Sequence, residues 1–199
     1  MIGFLLKRRF RKIITYPAPI KEGCSYLLMC NHFSFLDGLF AFYLCNRHLW
    51  GKHQMKKLYI MSLRQQMEKN PWLRYCGSFS VEPGKRSIAE SFSYAAEILS
   101  EPGNVLLFFP QGNLESQHIR KIRFEDGINQ IVPQIKGNCQ LLWSSNIIEY
   151  FEGTQPVLTM TMLDAGTTAD YDFNKLEKQI NRHHRDAITR NFRYTEEEL

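Results

Sequence analysis

The sequence predicts a single α/β domain with a mainly parallel or mixed central sheet flanked by helices. Short apolar runs bounded by turn residues alternate along the chain with longer segments whose apolar residues recur at helical spacing, and this alternation is typical of such folds. The chain has 199 residues, enough for one domain with a sizeable core. It contains no long linker, internal repeat or low-complexity segment that would divide it.

The predicted strands are short and apolar. The run over residues 104–109 is apolar at successive positions, as expected of a strand covered by helices on both faces. An earlier apolar run ends abruptly at Asn31-His32. Strands are predicted, in order, over residues 24–30, 56–61, 78–81, 104–109, 139–145 and 158–163.

The predicted helices lie between and after these strands. The clearest covers residues 87–100, because apolar side chains recur on one of its faces. The helix over residues 64–69 ends at the Asn70-Pro71 turn, since the residue before a proline disfavours helical geometry. His183 and His184 are expected on a solvated face of the last helix. Helices are predicted, in order, over residues 34–47, 64–69, 87–100, 127–135 and 175–190.

Residues 1–16 are predicted to form a basic amphipathic helix ahead of the α/β domain, which is assigned to residues 17–195. Lysine and arginine alternate there with isoleucine, phenylalanine and leucine, a composition that suits an anionic membrane surface. The alternative is an ordinary first helix that packs on the core and keeps its charges in water. The expected location is cytoplasmic, peripheral on the inner face of the cell membrane.

Composition argues against several classes of function. The net charge is +5, but lysine and arginine are dispersed and no aromatic-rich RNA-binding signature occurs, so no nucleic-acid partner is predicted. The five cysteines form no C-x-x-C pair and their number is odd, which favours reduced thiols over disulfides or a zinc site. Neither a metal nor a cofactor is predicted, because no phosphate-binding glycine motif or metal-ligand spacing is present.

The most informative segment is Asn31-His32-Phe33-Ser34-Phe35-Leu36-Asp37, which follows the first apolar strand. Residues at this His-to-Asp spacing on one helix lie about 140° apart, so the two side chains meet only if His32 precedes a helix and Asp37 lies in its first turn. Ser34 fits the N-cap of that helix, with Asp37 completing a capping box. Asp37 would then orient the His32 ring and leave its other nitrogen free as a general base. A structural histidine is the alternative.

Asn31-His32-x-Ser34-x-x-Asp37 resembles the first block of the glycerolipid (lysophosphatidate-type) acyltransferases. Phe108-Phe109-Pro110-Gln111-Gly112-Asn113 resembles the third block of that family, usually written F-P-E-G-T. The order and separation of the blocks also fit, and the resemblance extends over about residues 26–151. It implies the α/β fold of that family, His32 and Asp37 as the catalytic pair, and Asn31 and Ser34 in the substrate-binding site.

The third block departs from the family pattern at two positions. Gln111 stands where glutamate is usual and Asn113 where threonine is usual, so hydrogen-bonding capacity is kept but a negative charge is lost. A turn with proline and glycine at the carboxyl end of a strand can present backbone N–H groups to an anion or a developing oxyanion. Pro110, Gln111, Gly112 and Asn113 are therefore predicted to bind substrate.

The second block, at Gly77 to Pro83, is also altered. In the family an arginine closes this block and is thought to hold the phosphate of the acceptor, but Pro83 occupies that position here. Either Lys85 and Arg86 replace the arginine, or the acceptor lacks the phosphate. Arg120 belongs to a basic run after the third block and is a further candidate for binding substrate, with solvated loop charges as the alternative.

The resemblance implies an acyltransferase that moves a fatty-acyl group from acyl-CoA or acyl carrier protein to a hydroxyl or amine of a lipid-type acceptor. Direct attack by the acceptor is favoured, because no serine or cysteine stands in a nucleophile elbow. Two alternatives stay open at this stage. One is a lysophosphatidate acyltransferase proper, and the other is a catalytically weakened lipid- or membrane-binding homologue.

Overall fold

The computed structural model describes residues 2–50, 54–82 and 87–191, apart from the side chains at positions 2, 4 and 5. The strands are β1 (Lys12–Tyr16), β2 (Ser25–Cys30), β3 (Lys57–Leu63), β4 (Ser78–Val81), β5 (Asn104–Phe108), β6 (Cys139–Glu149) and β7 (Val157–Thr167). The helices are α1 (Ile2–Arg9), α2 (Asp37–His48), α3 (Arg64–Lys69), α4 (Ser87–Ser100), α5 (Gly127–Ile131) and α6 (Phe173–Asn191). Short 3₁₀ helices cover Pro71–Cys76, Val132–Gln134 and Thr168–Asp170.

The seven strands form one mixed sheet in the order β1-β7-β6-β2-β5-β3-β4. Neighbours from β6 to β4 run parallel to one another, as expected where helices connect the strands. β7 runs antiparallel to β6, and β1 pairs with β7 in parallel at the edge. The predicted α/β fold with a mixed central sheet is confirmed.

Two apolar layers bury the sheet, and strand alternation divides the side chains between them. In β2, Tyr26 and Leu28 face the layer that contains α1 and α2, whereas Leu27 and Met29 face the layer that contains α4, α5 and α6. β2 is buried along its whole length. The central strand is therefore rigidly held, and whatever follows its last residue is positioned by both layers.

Most predicted elements form within a few residues of their expected bounds, and α3, α4 and β4 match them. β6 and β7 extend beyond the predicted residues 145 and 163. They pair with each other along most of their length, from Gln140 opposite Thr167 to Glu149 opposite Val157. This antiparallel ladder pairs the backbone N–H and C=O groups of the added residues, including residues 164–167, whose polar and small side chains do not predict a strand.

The predicted N-terminal helix over residues 1–16 is too long. The predicted domain boundary at residue 16 would separate β1 from the sheet to which it belongs. α1 ends at Arg9, and β1 follows as an edge strand because Pro156 and β7 offer unpaired backbone groups there. Leu6 and Phe10 are buried in the core, where the Phe10 ring meets Phe40 edge-on. This part of the apolar face packs on the protein, as the alternative expected. Ile2, Phe4 and Leu5 have side chains outside the described residues.

No helix among the described residues combines the length and the apolar composition needed to cross a bilayer. The exposed side of α1 carries Lys7, Arg8 and Arg9.

Candidate active site

The candidate site lies at the carboxyl edge of the parallel strands. His32 follows β2 directly, and the segment from Phe109 to Asn113 follows β5, the neighbour of β2 in the sheet. Ligands of open α/β sheets bind at this edge, because the connecting loops there are exposed while the strands hold their ends in place. The topology thus brings together the two motifs that the sequence singled out.

His32 and Asp37 form a close pair. His32 Nδ1 lies 2.9 Å from Asp37 Oδ2, and the carboxylate is fully buried while the His32 side chain is 23% exposed. An ionised carboxylate only accepts hydrogen bonds, so Nδ1 carries the proton. Among the described residues nothing bonds Nε2, whose lone pair is therefore left for a substrate proton. This is the arrangement that the His-to-Asp spacing predicts.

Asp37 is held by the start of its own helix. Its Oδ2 also accepts the backbone N–H groups of Phe33 at 2.7 Å and Ser34 at 2.8 Å, so one oxygen serves three donors. Half of the predicted capping box forms, since the N–H of Ser34 donates to Asp37, but Ser34 is not the N-cap residue. The helix begins at Asp37 after Leu36, and Ser34 Oγ accepts the N–H of Leu36 at 3.1 Å one turn earlier. The turn uses the backbone of residues 33–34 to fix the carboxylate.

One face of the His32 imidazole is covered by an aromatic ring. Phe109 stacks on His32 with ring centroids 4.1 Å apart and an angle of 21° between the planes. The ring is thus restrained on one face by the third block and through Nδ1 by Asp37. A base that is held in one orientation loses little conformational freedom when it meets its substrate.

Asn31 belongs to the framework under the site. It is buried, its Nδ2 donates to the carbonyl of Asn146 at 2.9 Å, and its Oδ1 accepts the N–H of Asn146 at 2.7 Å. Both ends of the amide are therefore used by β6. Asn31 thus joins the end of β2 to β6, and its contact with substrate stays a prediction.

The third-block residues divide into buried and exposed pairs. Pro110 and Gln111 are buried, whereas Gly112 and Asn113 are exposed. Gly112 has φ +69°, and a Cβ there would lie 3.0 Å from Glu125 Cγ, so the turn requires glycine. The N–H of Gly112 donates to the Phe109 carbonyl at 3.1 Å and is thereby used within the turn.

Gln111 is buried and contacts the turn that carries His32. Its Oε1 accepts the backbone N–H of His32 at 2.7 Å, and its Nε2 donates to the carboxylate of Glu115. Glu115 in turn donates its N–H to the His32 carbonyl at 2.8 Å. The sequence gives no signal for Glu115, because His32 is distant in the chain and the family motif ends at residue 113.

Of the three basic candidates for substrate binding, Arg120 lies among the described residues. Arg120 is exposed on the loop between β5 and α5, and in the described part of the chain no hydrogen bond or ion pair joins it to His32 or Gln111. Lys85 and Arg86, together with Pro83, lie outside the described residues. The contribution of these cations to substrate binding stays a prediction.

A second histidine was misjudged from the sequence. His184 was expected in water but is only 1% exposed, because its face of α6 packs on the sheet. Its Nε2 donates to the Ile119 carbonyl at 3.2 Å, so its Nδ1 accepts the hydroxyl proton of Ser145 at 3.0 Å. Burial lowers the pKa of His184 to about 4. His183 is half-buried, and its Nε2 lies 3.1 Å from the Thr161 carbonyl.

α6 fixes the loop that follows the third block. Asn181 accepts the N–H of Ile122 at 2.7 Å and donates to its carbonyl at 2.9 Å, beside the bond from His184 to Ile119. Asn181 has no apolar-pattern signal that would mark it as buried. Only the fold reveals that the last helix positions a loop next to the candidate site.

Four of the five cysteines are buried, and Cys76 is partly exposed. All five are free thiols, and Cys30, the one nearest His32 in sequence, is fully buried. Burial raises the pKa of the Cys30 thiol well above its usual value, and the negative charge of Asp37 adds to the effect. A neutral, inaccessible thiol is a poor nucleophile, so acyl transfer through Cys30 is disfavoured.

Among the residues that the structure describes, no cluster of three metal-ligating side chains occurs. A surface cavity of about 390 Å³ lies between the end of β7 and the start of α6, lined in part by Asp164, Asp170 and Asp172. Asp164 is opposite Leu142 near the beginning of β6, whereas His32 follows the end of β2, which is parallel to β6. The cavity therefore lies towards the opposite edge of the sheet.

The family model for acyltransferases matches residues 13–148. The chain belongs to the acyltransferase family. It is therefore an acyltransferase enzyme, and the match spans both sequence blocks at the site. The predicted resemblance is confirmed.

A solved acyltransferase structure shows the same fold. It is the 1-acyl-sn-glycerophosphate (LPA) acyltransferase PlsC from Thermotoga maritima, with a TM-score of 0.67 and 13% sequence identity over 98% of this chain and 80% of that one. At this identity the likeness concerns the fold alone. No curated protein sequence matches this acyltransferase significantly.

Proposed function

We propose that this acyltransferase moves a fatty-acyl group from a thioester donor, acyl-CoA or acyl carrier protein, to a hydroxyl or amine of a lipid-type acceptor. The observation that carries the proposal is the pair of His32 and Asp37, with the proton on Nδ1 and the other ring nitrogen unbonded within the described chain. Such a pair activates an oxygen or nitrogen nucleophile at neutral pH.

In the proposed reaction His32 Nε2 takes the proton of the acceptor as the acceptor attacks the thioester carbonyl. Asp37 stabilises the imidazolium that forms, and the same proton then protonates the leaving thiolate. The acceptor becomes acylated and the donor leaves as a free thiol. We propose that transfer is direct, since four of the five cysteines are buried and no serine or cysteine stands in a nucleophile elbow.

The tetrahedral oxyanion needs a donor near the turn at Gly112. The N–H of Gly112 itself is engaged by Phe109, so we assign this role to the next N–H, that of the exposed residue Asn113. Loss of one oxyanion donor costs about 10²–10³-fold in kcat. Most substitutions leave a backbone donor in place, but Asn113→Pro deletes that N–H and should cause a loss of this order.

The acceptor is proposed to lack a glycerol phosphate. Support comes from Pro83, which stands where a phosphate-binding arginine is usual, and from Gln111, which shows that the neighbouring block is altered too. The test is a competition between lysophosphatidate and phosphate-free hydroxyl or amine acceptors with one acyl donor. A strong preference for lysophosphatidate that Arg86→Ala abolishes would overturn this choice and assign the phosphate to Arg86.

We further propose that the enzyme works peripherally on an anionic membrane, on the cytoplasmic inner face. Support comes from the exposed basic side of α1, although Leu6 and Phe10 are committed to the core. Attraction to the surface would therefore be mainly electrostatic, with each basic residue contributing on the order of 1 kcal/mol.

Replacing Lys7, Arg8 and Arg9 with glutamine should weaken binding to anionic vesicles, and the loss should shrink as salt is raised. Substitution is preferable to deletion, since deleting residues 1–15 would also remove most of β1. The matched control replaces Lys178, Arg182 and Arg185, three exposed basic residues on the helix that covers the opposite face of the sheet. Equal losses in both triple variants would contradict a membrane-facing α1.

A further inference from the structure

Gln111 and Glu115 bond both backbone polar groups of His32. The His32 N–H donates to Gln111 Oε1 at 2.7 Å, and the His32 carbonyl accepts from the Glu115 N–H at 2.8 Å. Gln111 is buried, so these bonds are sheltered from water. The residue that carries the imidazole is thus held from the third block at the main chain, independently of the side-chain contact with Asp37.

The orientation of the Gln111 amide depends on Glu115. An amide presents an acceptor at one end and a donor at the other, and the His32 N–H requires the acceptor end. The Glu115 carboxylate accepts only, and it takes the donor end through Nε2. If Glu115 lacked its acceptor, the amide could turn and set its NH₂ group against the His32 N–H, which would break the contact.

We infer that Gln111 and Glu115 form a positioning pair for His32, with Glu115 supplying the carboxylate that other members of the family carry at position 111. The charge absent from the third block is present four residues later and touches the same amide. The inference rests on the proposed role of His32 as the base. Both residues act through His32 and neither contacts the reacting atoms.

The first test compares Glu115→Ala with Glu115→Gln. The alanine variant should lose about tenfold in kcat with little change in the KM for the acyl donor, since a small displacement of the base slows chemistry more than binding. The glutamine variant keeps an acceptor for Gln111 Nε2 and should lose clearly less. Glu101→Ala removes an exposed carboxylate at the turn before β5 and serves as the matched control.

The second test exchanges the two side chains. Gln111→Glu alone sets two carboxylates against each other and should lower kcat about tenfold or more. Adding Glu115→Gln restores a donor opposite the new carboxylate, whose oxygen can still accept the His32 N–H, so the double variant should recover most of the loss. A double variant no better than Gln111→Glu would overturn the inference.

A readout other than activity separates this inference from the proposed function. Hydrogen exchange of the backbone amide of His32 should accelerate at least tenfold in Glu115→Ala and not in Glu101→Ala. Wild-type exchange together with wild-type kcat in Glu115→Ala would refute the positioning role. If the wild-type enzyme acylates none of the acceptors, the proposed function fails, and the exchange measurement still decides how His32 is held.

Discussion

His32 and His184 show how differently one fold can use the same side chain. Each has a polar partner on Nδ1, Asp37 in one case and Ser145 in the other. His184 uses both ring nitrogens and is buried, whereas His32 uses one within the described part of the chain and its side chain is 23% exposed. The buried ring of His184 is a structural group that stays neutral at pH 7, because burial lowers its pKa to about 4. The difference indicates that access and a charged partner, more than the presence of a hydrogen bond, distinguish the proposed base His32 from the structural residue His184.

Replacing His32 tests the comparison most severely. His32→Ala should lower kcat by about 10²–10⁴-fold, because general base catalysis contributes that much. The free energy of unfolding should change little, since the side chain is partly exposed. Steady-state kinetics and urea unfolding on the same preparation give both quantities. Near-wild-type turnover would remove His32 from the mechanism.

Asp37→Asn should be nearly as severe for activity. The amide can still accept one backbone N–H, but it no longer stabilises an imidazolium and can hold the ring in the wrong tautomer. A loss of at least 10²-fold in kcat is expected, with a folded protein by circular dichroism. An unchanged rate would reduce Asp37 to a residue that only orders the start of α2.

His184→Ala should show the opposite profile. It empties a buried site and leaves the hydroxyl of Ser145 and the carbonyl of Ile119 without their partner, at a cost of about 2–4 kcal/mol in the free energy of unfolding. Turnover per folded molecule, measured well below the unfolding temperature, should fall less than tenfold. A loss of activity as large as that of His32→Ala, in a stably folded protein, would erase the distinction between the two histidines.

The pH dependence of stability gives the smallest and most specific effect. Burial lowers the pKa of His184 from 6.5 to about 4, so between these values the unfolded chain binds a proton that the folded protein does not. The contribution is present above about pH 6.5 and is lost as the pH falls towards 4, amounting to about 3 kcal/mol by linkage.

The measurement is urea unfolding from pH 8 to pH 4 for the wild type, His184→Gln and the exposed control His118→Gln. Burial lowers the pKa of His183 as well, so in all three proteins His183 also makes the free energy of unfolding rise with pH. The difference between wild type and His184→Gln therefore isolates His184. Parallel curves for the two would mean that His184 does not remain neutral in the folded state.

The parts of the site that could be predicted are those encoded locally. The link between His32 and Asp37 follows from spacing and helix geometry, and the edge of the sheet follows from apolar runs that end at polar motifs. The capping box predicted for Ser34 forms only in half: its N–H donates to the Asp37 carboxylate, but its Oγ accepts the N–H of Leu36 instead of that of Asp37. Local sequence shows which groups are near one another, but not which of several possible hydrogen bonds forms.

The long-range contacts could not be predicted. Asn31 with Asn146, His32 with Gln111, and His184 with Ser145 each join segments whose proximity depends on the order of strands in the sheet. The register of β6 against β2 decides that Asn146 meets Asn31. No periodicity within either segment contains that information. The same reason explains β1, which is a strand only because β7 offers it an edge.

The pairing of β1 with β7 also has a consequence for synthesis on the ribosome. Lys12 lies opposite Val157, so β1 finds its neighbour only after all the intervening residues have emerged. β2 to β6 can associate before then. Leu6 and Phe10 become fully buried only when β7 completes their core layer. Contacts between such distant parts of a chain form late and slowly. β1 is thus made well before β7 and docks only after it, and during that interval its backbone groups lack their partners in the sheet.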